Sequence, residues 1–270
     1  MSSPRRLPWT HAPLRAGRWP LLAEAAHYLR TVLRLSAGSQ VELFDGAGQI
    51  ALATLDDGEP PQLQIGTVRA ADTVTAPLTL AVAAPKGERA DWLAEKLGEL
   101  GVTTITWLLC DRSIVQPVAG SARMQRWHRL LTAGARQSGQ ARVPEMQGPL
   151  TLPAWLAQPA PPRRLVAQPG GQPMLSLLAG EAAATAILIG PEGGFSPNEL
   201  QQLEAAGYSA VGLGSAILRV ETAAVAAAAL YVATSFSEVA APCPRHTFNA
   251  PTAACKTSLS PPIAAAASDL

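Results

Sequence analysis

Two hydrophobic rhythms divide the chain. Over residues 1–75 apolar positions alternate in short runs. Residues 41–44 lead into Asp45-Gly46, a hairpin signal, and residues 49–55 and 63–68 resume an extended pattern. One stretch breaks the alternation: apolar residues at 22, 25, 26, 29, 32 and 33 predict a helix over 21–35 with Arg30 and Arg34 on one solvent face. Past Pro77 the period changes. Buried strands are predicted over 78–84, 102–109, 164–167, 186–189 and 210–213, and helices over 91–100, 124–137, 199–206 and 221–236. Strands that alternate with helices predict an α/β fold with a parallel sheet covered on both faces.

The last helix is apolar all round and rich in small residues, so every side of it must be covered, by the core or by a second subunit. From about residue 238 the pattern dissolves into Pro, Ala, Ser and Thr, and 238–270 reads as a disordered tail. Three parts are therefore expected: a small barrel over 1–75, an α/β domain over 76–237 and the tail.

Charge changes the picture through its distribution. The net charge is only +1, but residues 1–34 hold six Arg against Glu24, and residues 111–145 hold six Arg against Asp111 and Glu145. Acids gather at 35–75 and 180–222. Basic residues segregated in this way, nearly all of them Arg, suit phosphate or RNA. Three cysteines without metal-ligand spacing predict no metal site and a reducing, cytoplasmic setting. No apolar run is long enough for a membrane span.

Two glycine-rich loops carry the candidate chemistry. Gly190-Pro191-Glu192-Gly193-Gly194 follows a strand, and Ser196, Pro197 and Glu199 spell a capping box for the next helix. It is neither a P-loop nor Gly-x-Gly-x-x-Gly. The second loop, 211–224, sets Arg219 and Glu221 at the mouth of the last helix. Loops at the carboxyl ends of strands are where open α/β sheets bind ligands, and glycines there let main chain approach closely.

Leu-Ile-Gly-Pro-Glu-Gly-Gly-Phe followed by Leu-Gly-x-x-Ile-Leu-Arg-x-Glu-Thr-Ala resembles the SPOUT-superfamily methyltransferases, and within them the RsmE family. Supporting blocks are His27–Arg34 in sequence with Val-Glu-Leu-Phe-Asp-Gly at 41–46, Lys-Leu-Gly-Glu-Leu-Gly-Val at 96–102, Arg126-Trp127, and Gln137-Ser138-Gly139 with Arg142-Val143-Pro144. The resemblance implies a PUA-like barrel before a parallel sheet with a C-terminal trefoil knot, and a homodimer. It implies S-adenosylmethionine as cofactor, held by Ala167, Pro169, Gly190, Pro191, Glu192, Gly193, Gly194, Leu213, Gly214, Ile217 and Leu218. The implied activity is methylation of N3 of a decoding-site uridine in 16S ribosomal RNA within the small ribosomal subunit.

Removing the N3 proton leaves charge on O2 and O4 of the base, which a guanidinium stabilises. Arg219 is the candidate, with Glu221 favoured over Glu192 as proton acceptor. Arg30, Arg34, Arg112 and Arg142 are candidates for the RNA phosphates. The chain departs from the family pattern at Arg136, Gln140 and Ala216, two of which replace expected charges and one of which reverses a charge. The missing arginine at 216 is the best support for the alternative of a non-catalytic or weakly active RNA-binding ribosome-assembly factor, while the intact glycine loop and Arg219-Val220-Glu221-Thr222 argue against it; a SPOUT methyltransferase acting on another RNA is a further alternative.

Overall fold

The computed structural model describes residues 4–9, 11–71, 76–180 and 183–236; the tail at 238–270 lies outside them. Strands β1 (Arg5–Pro8), β2 (Gly17–Pro20), β3 (Gln40–Phe44), β4 (Gln49–Leu55) and β5 (Gln62–Ala70) form the N-terminal barrel sheet in the order β1-β3-β4-β5-β2. β1 runs parallel to β3, and the remaining pairs are antiparallel. Alternation along β3 to β5 turns Val41, Leu43, Ala53, Leu55, Leu63 and Ile65 inward against Trp9 and Leu29. The Asp45 hairpin forms as the sequence indicates, with Asp45 Oδ1 accepting from Ala47 N and Gln49 N.

The helix predicted over 21–35 is shorter and wider than its periodicity suggests. Helix α1 (Ala23–His27) has no side-chain cap and passes into a π-helical turn, Tyr28–Val32. The wider turn seats Leu29 in the barrel core. Its consequence for the arginines corrects the single solvent face. Arg30 is half-buried, with Nη2 donating to Asp56 O at 2.8 Å, and Arg34 lies past the turn with φ of 54°.

The second sheet is parallel throughout. β6 (Leu78–Ala83) leads to α2 (Arg89–Leu100), β7 (Thr104–Leu109), α3 (Ala122–Ser138), β8 (Glu145–Thr151), α4 (Leu152–Leu156), β9 (Arg163–Pro173), α5 (Met174–Leu178), β10 (Thr185–Ile189), α6 (Pro197–Ala205), β11 (Ser209–Gly212) and α7 (Val220–Phe236). The strand order is β11-β9-β10-β6-β7-β8. Successive residues of each strand serve opposite faces. Leu80, Val82, Ile105, Trp107, Ile187 and Ile189 meet α2, α3 and α7 on one side. Ala81, Ala83, Leu108, Ala186 and Leu188 meet Trp155, Leu203 and Tyr208 on the other.

Two glycines bring α2 and α3 into contact. A Cβ on Gly98 would overlap the Leu131 carbonyl oxygen, and one on Gly134 the Glu95 carbonyl oxygen. Helix α7 buries Ala224, Ala227, Ala228 and Tyr231, whose hydroxyl donates to Ala183 O at 2.9 Å. Its opposite stripe is not covered by the described residues: Thr222, Ala229 and Ala233 are exposed and Val225, Ala226 and Leu230 half-buried. Within one subunit the described residues therefore cover only one side of this helix, and the core alone does not enclose it.

Candidate active site

Three neighbouring strands, β11, β9 and β10, release the three loops that the resemblance assigns to the cofactor. All three leave the carboxyl edge of the sheet, so adjacency in the sheet gathers residues from 167, 190 and 213 onward. β9 pairs with β10 only as far as Val166, departs over 167–171, and pairs with β11 again at Gln172. Gly171 and Gly212 permit this excursion, because a Cβ at 171 would stand 2.6 Å from the Val211 carbonyl carbon and one at 212 would stand 2.8 Å from Gly171 O. Ala167 is half-buried in the excursion and Pro169 exposed.

The loop after β10 is held from both ends. Gly190 lies against the buried Phe195 ring, 2.9 Å from any Cβ it could carry. Gly194 N donates to Pro191 O at 2.8 Å, closing a tight turn. Pro191 is buried, whereas Glu192 and Gly193 face outward. The capping box expected at the start of α6 is present, and it does more than cap. The buried Glu199 accepts from Ser196 N with Oε2 (2.7 Å) and from Asp111 N with Oε1 (2.9 Å). Ser196 Oγ donates to Asp111 Oδ2 at 2.6 Å, and Arg112 Nη1 donates to Gly193 O at 2.9 Å. The β7 exit thus clamps the glycine loop. Burial, and secondarily the charge of Glu199, pushes the Cys110 thiol up to about 12.

The loop after β11 supplies a cation. Gly214 has a φ of 146° and nothing within 4 Å of a Cβ, as is also true of Gly170 and Gly194 at their own positive φ. Open space beside the main chain at these three positions leaves room for a ligand held by main chain. Leu213 and Leu218 are half-buried and Ile217 is 87% exposed. Arg219 is exposed, and its carbonyl accepts from Ala223 N at the start of α7. Its guanidinium makes no hydrogen bond or ion pair among the described residues. Glu221 is buried two residues on, in the first turn of α7, with Oε1 3.8 Å from Arg89 Nη1 of α2 and Oε2 without a hydrogen-bond partner among the described residues.

Arg89, Asp111 and Glu199 as a tether were not marked as site residues by the sequence. The pairs 89–221 and 111–199 are remote along the chain, and no local spacing reports them. The proposed phosphate-binding arginines are not gathered in one place. Arg112 joins the glycine loop, Arg30 binds a barrel carbonyl, and Arg34 lies on the barrel. Arg142 sits on the barrel hairpin, its guanidinium 2.8 Å from the place a Gly48 Cβ would take. The departures have visible uses: Arg136 stacks 5.4 Å from the Tyr28 ring centroid, and Gln140 Nε2 donates to Glu99 O at 3.4 Å. Ala216 is exposed.

Among the described residues no cluster of three His, Cys, Asp or Glu could hold a metal, and no helix is long and apolar enough to cross a membrane.

The barrel and the parallel sheet each match a family of RNA methyltransferases, so the class is an RNA methyltransferase with a PUA domain. The RNA methyltransferase domain family matches residues 73–232, and the RNA methyltransferase PUA domain family matches 21–66. The sheet is that of the SPOUT methyltransferases. The chain is 34% identical over 215 residues to the ribosomal RNA small subunit methyltransferase E of Synechocystis, covering 75% of this chain and 69% of that one. A Neisseria gonorrhoeae ribosomal RNA small subunit methyltransferase E bound to S-adenosyl methionine superposes with a TM-score of 0.74 at 28% identity, covering 84% of this chain and 96% of that one. A Legionella pneumophila methyltransferase in complex with SAM gives a TM-score of 0.75 at 26% identity, covering 86% and 98%. The chain belongs to the ribosomal RNA small subunit methyltransferase E family.

Proposed function

We propose that this chain methylates N3 of a decoding-site uridine in 16S ribosomal RNA of the assembled small subunit, using S-adenosylmethionine and working in the cytoplasm as a homodimer. The observation that carries the reading is the convergence of three glycine-built loops beside Arg219, an arginine unengaged among the described residues. The cofactor fits these residues, because main chain at 167–171, 190–194 and 213–218 leaves the space open at Gly170, Gly194 and Gly214. When bound, S-adenosylmethionine supplies an electrophilic sulfonium methyl. Leu213 and Leu218 offer apolar walls, and Ala167, Pro169, Pro191, Glu192, Gly193 and Ile217 complete the lining.

Arg219 is the group assigned to stabilise the charge that develops on O2 and O4 once N3 loses its proton. Its guanidinium faces solvent, so it has no bond within the described residues to break first. Glu221 is proposed to receive the proton, with Arg89 Nη1 3.8 Å from its Oε1 and Oε2 left available as acceptor. The barrel and tail divisions at 75 and 237 and a knot formed by the last segment belong to this same reading. The half-covered stripe on α7 supports a second copy packed there.

The deciding experiment is incubation of undermethylated small subunits with the protein and S-adenosylmethionine, followed by nucleoside mass spectrometry. N3-methyluridine at a single decoding-site position is expected; a methyl group on another base or another RNA overturns the target. Absence of S-adenosylmethionine binding by calorimetry would favour the non-catalytic assembly factor instead.

A further inference from the structure

We infer that the outward face of α3 is the track along which ribosomal RNA phosphates are held between the barrel and the catalytic edge. The inference rests on the reading of the chain as a ribosomal RNA methyltransferase and names the surface that reading lacks.

Four arginines and no acid occur in the 17 residues of α3. Arg126, Arg129 and Arg136 lie opposite the buried line of Met124, Trp127, Leu131 and Ala135, and Arg123 flanks them. Arg123, Arg126 and Arg129 are exposed. The neighbouring acids of α2 are already engaged: Asp91 accepts from Arg126 Nε (2.7 Å) and Trp127 Nε1 (2.9 Å), while Glu95 and Glu99 pair with Lys96. Arg123 and Arg129 make no ion pair or hydrogen bond among the described residues. Two of the arginines assigned to RNA from the sequence are less free, since Arg30 and Arg112 donate to the protein's own carbonyls.

Position gives the face its meaning. α3 is the next element after the β7 exit that clamps the glycine loop, and Asp91, in the first turn of α2, bonds its first turns. Its far end reaches the barrel, where Arg136 stacks on Tyr28, and Arg142 then crosses the barrel hairpin. Seventeen helical residues span about 25 Å, several phosphates of an RNA strand. Guanidinium groups at one-turn intervals grip phosphate oxygens bidentately without reading sequence, which suits a surface that positions a strand for chemistry at its end.

The test uses the full-length protein with Arg123→Gln/Arg129→Gln, and undermethylated small subunits as the probe. The expected result is a KM for subunits raised about tenfold or more, and a log affinity against log salt slope shallower by roughly one to two, with the S-adenosylmethionine Kd and the thermal midpoint unchanged. Unchanged KM and slope overturn the inference. An equal loss in Arg15→Gln/Arg18→Gln, two exposed barrel arginines, also overturns it by reducing α3 to background charge. If the wild type binds subunits with a steep salt slope yet transfers no methyl group, the enzymatic reading fails while the track is still measured by binding.

Discussion

Arg112 Nη1 donates to the carbonyl oxygen of Gly193 at 2.9 Å, so a side chain from the β7 exit holds the main chain of the loop proposed to cradle the cofactor. Arg112→Ala removes a charge-assisted bond, and about a tenfold weaker S-adenosylmethionine Kd is expected by calorimetry. Arg112→Lys should recover part of the affinity. A raised KM for RNA with unchanged cofactor affinity would return Arg112 to the phosphate-binding role its position in the sequence suggested.

Glu199 binds the same two loops from below. Both carboxylate oxygens face N–H groups, of Asp111 and Ser196. Glu199→Gln turns one acceptor into a donor that faces a donor in a buried place, a loss of about 1–3 kcal/mol in urea unfolding. A variant as stable as the wild type would show that the loops do not depend on this tether.

Arg219→Ala should lower kcat by about 100- to 1,000-fold, the usual cost of removing one group that stabilises developing negative charge. Cofactor affinity should change little, because the guanidinium acts chiefly in the transition state. Single-turnover methylation with saturating S-adenosylmethionine measures this, and wild-type turnover would remove Arg219 from the mechanism.

Gly98→Ala sets helix propensity against packing. Alanine gains about 1 kcal/mol in an exposed helix, but here the new Cβ overlaps the Leu131 carbonyl oxygen. Forcing α2 from α3 costs about 1–3 kcal/mol. A lower urea midpoint is expected, and a raised one would mean the helices separate at little cost.

Cys110 ionises near 9.0 when unfolded and at about 12 when folded. The unfolded chain therefore sheds this proton first, and the contribution of Cys110 to stability is complete below pH 9 and lost as pH rises from 9 to 12. Native Cys110 should resist alkylation at pH 8, where only about one thiol in ten thousand is ionised. Peptide mapping after iodoacetamide checks this; rapid labelling would show the thiol is accessible.

The α/β alternation, the capping box at Ser196 and Glu199 and the two glycine loops were legible in the chain, because each depends on neighbours within a few turns; the parallel sheet followed from the alternation by a general rule of packing. Helical hydrogen bonds and helix caps are local, so residue order alone determined them. The π-helical turn at Tyr28–Val32 was not legible: the period of 3.6 predicted a regular helix, and the need to seat Leu29 in the barrel core overrode it.

Which loops meet was decided by tertiary structure. Strand order places β9 between β10 and β11, so residues 167, 190 and 213 become neighbours although the chain separates them widely. The Arg89–Glu221 pair, the Asp111–Glu199 tether and the partner of Arg112 share this origin. A side chain's charge is written in the sequence, but its partner is chosen by the packing of elements whose contacts span most of the chain. For that reason the sequence alone named Arg219 and the glycine loops, and only the folded sheet separated the arginine that holds the Gly193 carbonyl from those without a partner among the described residues.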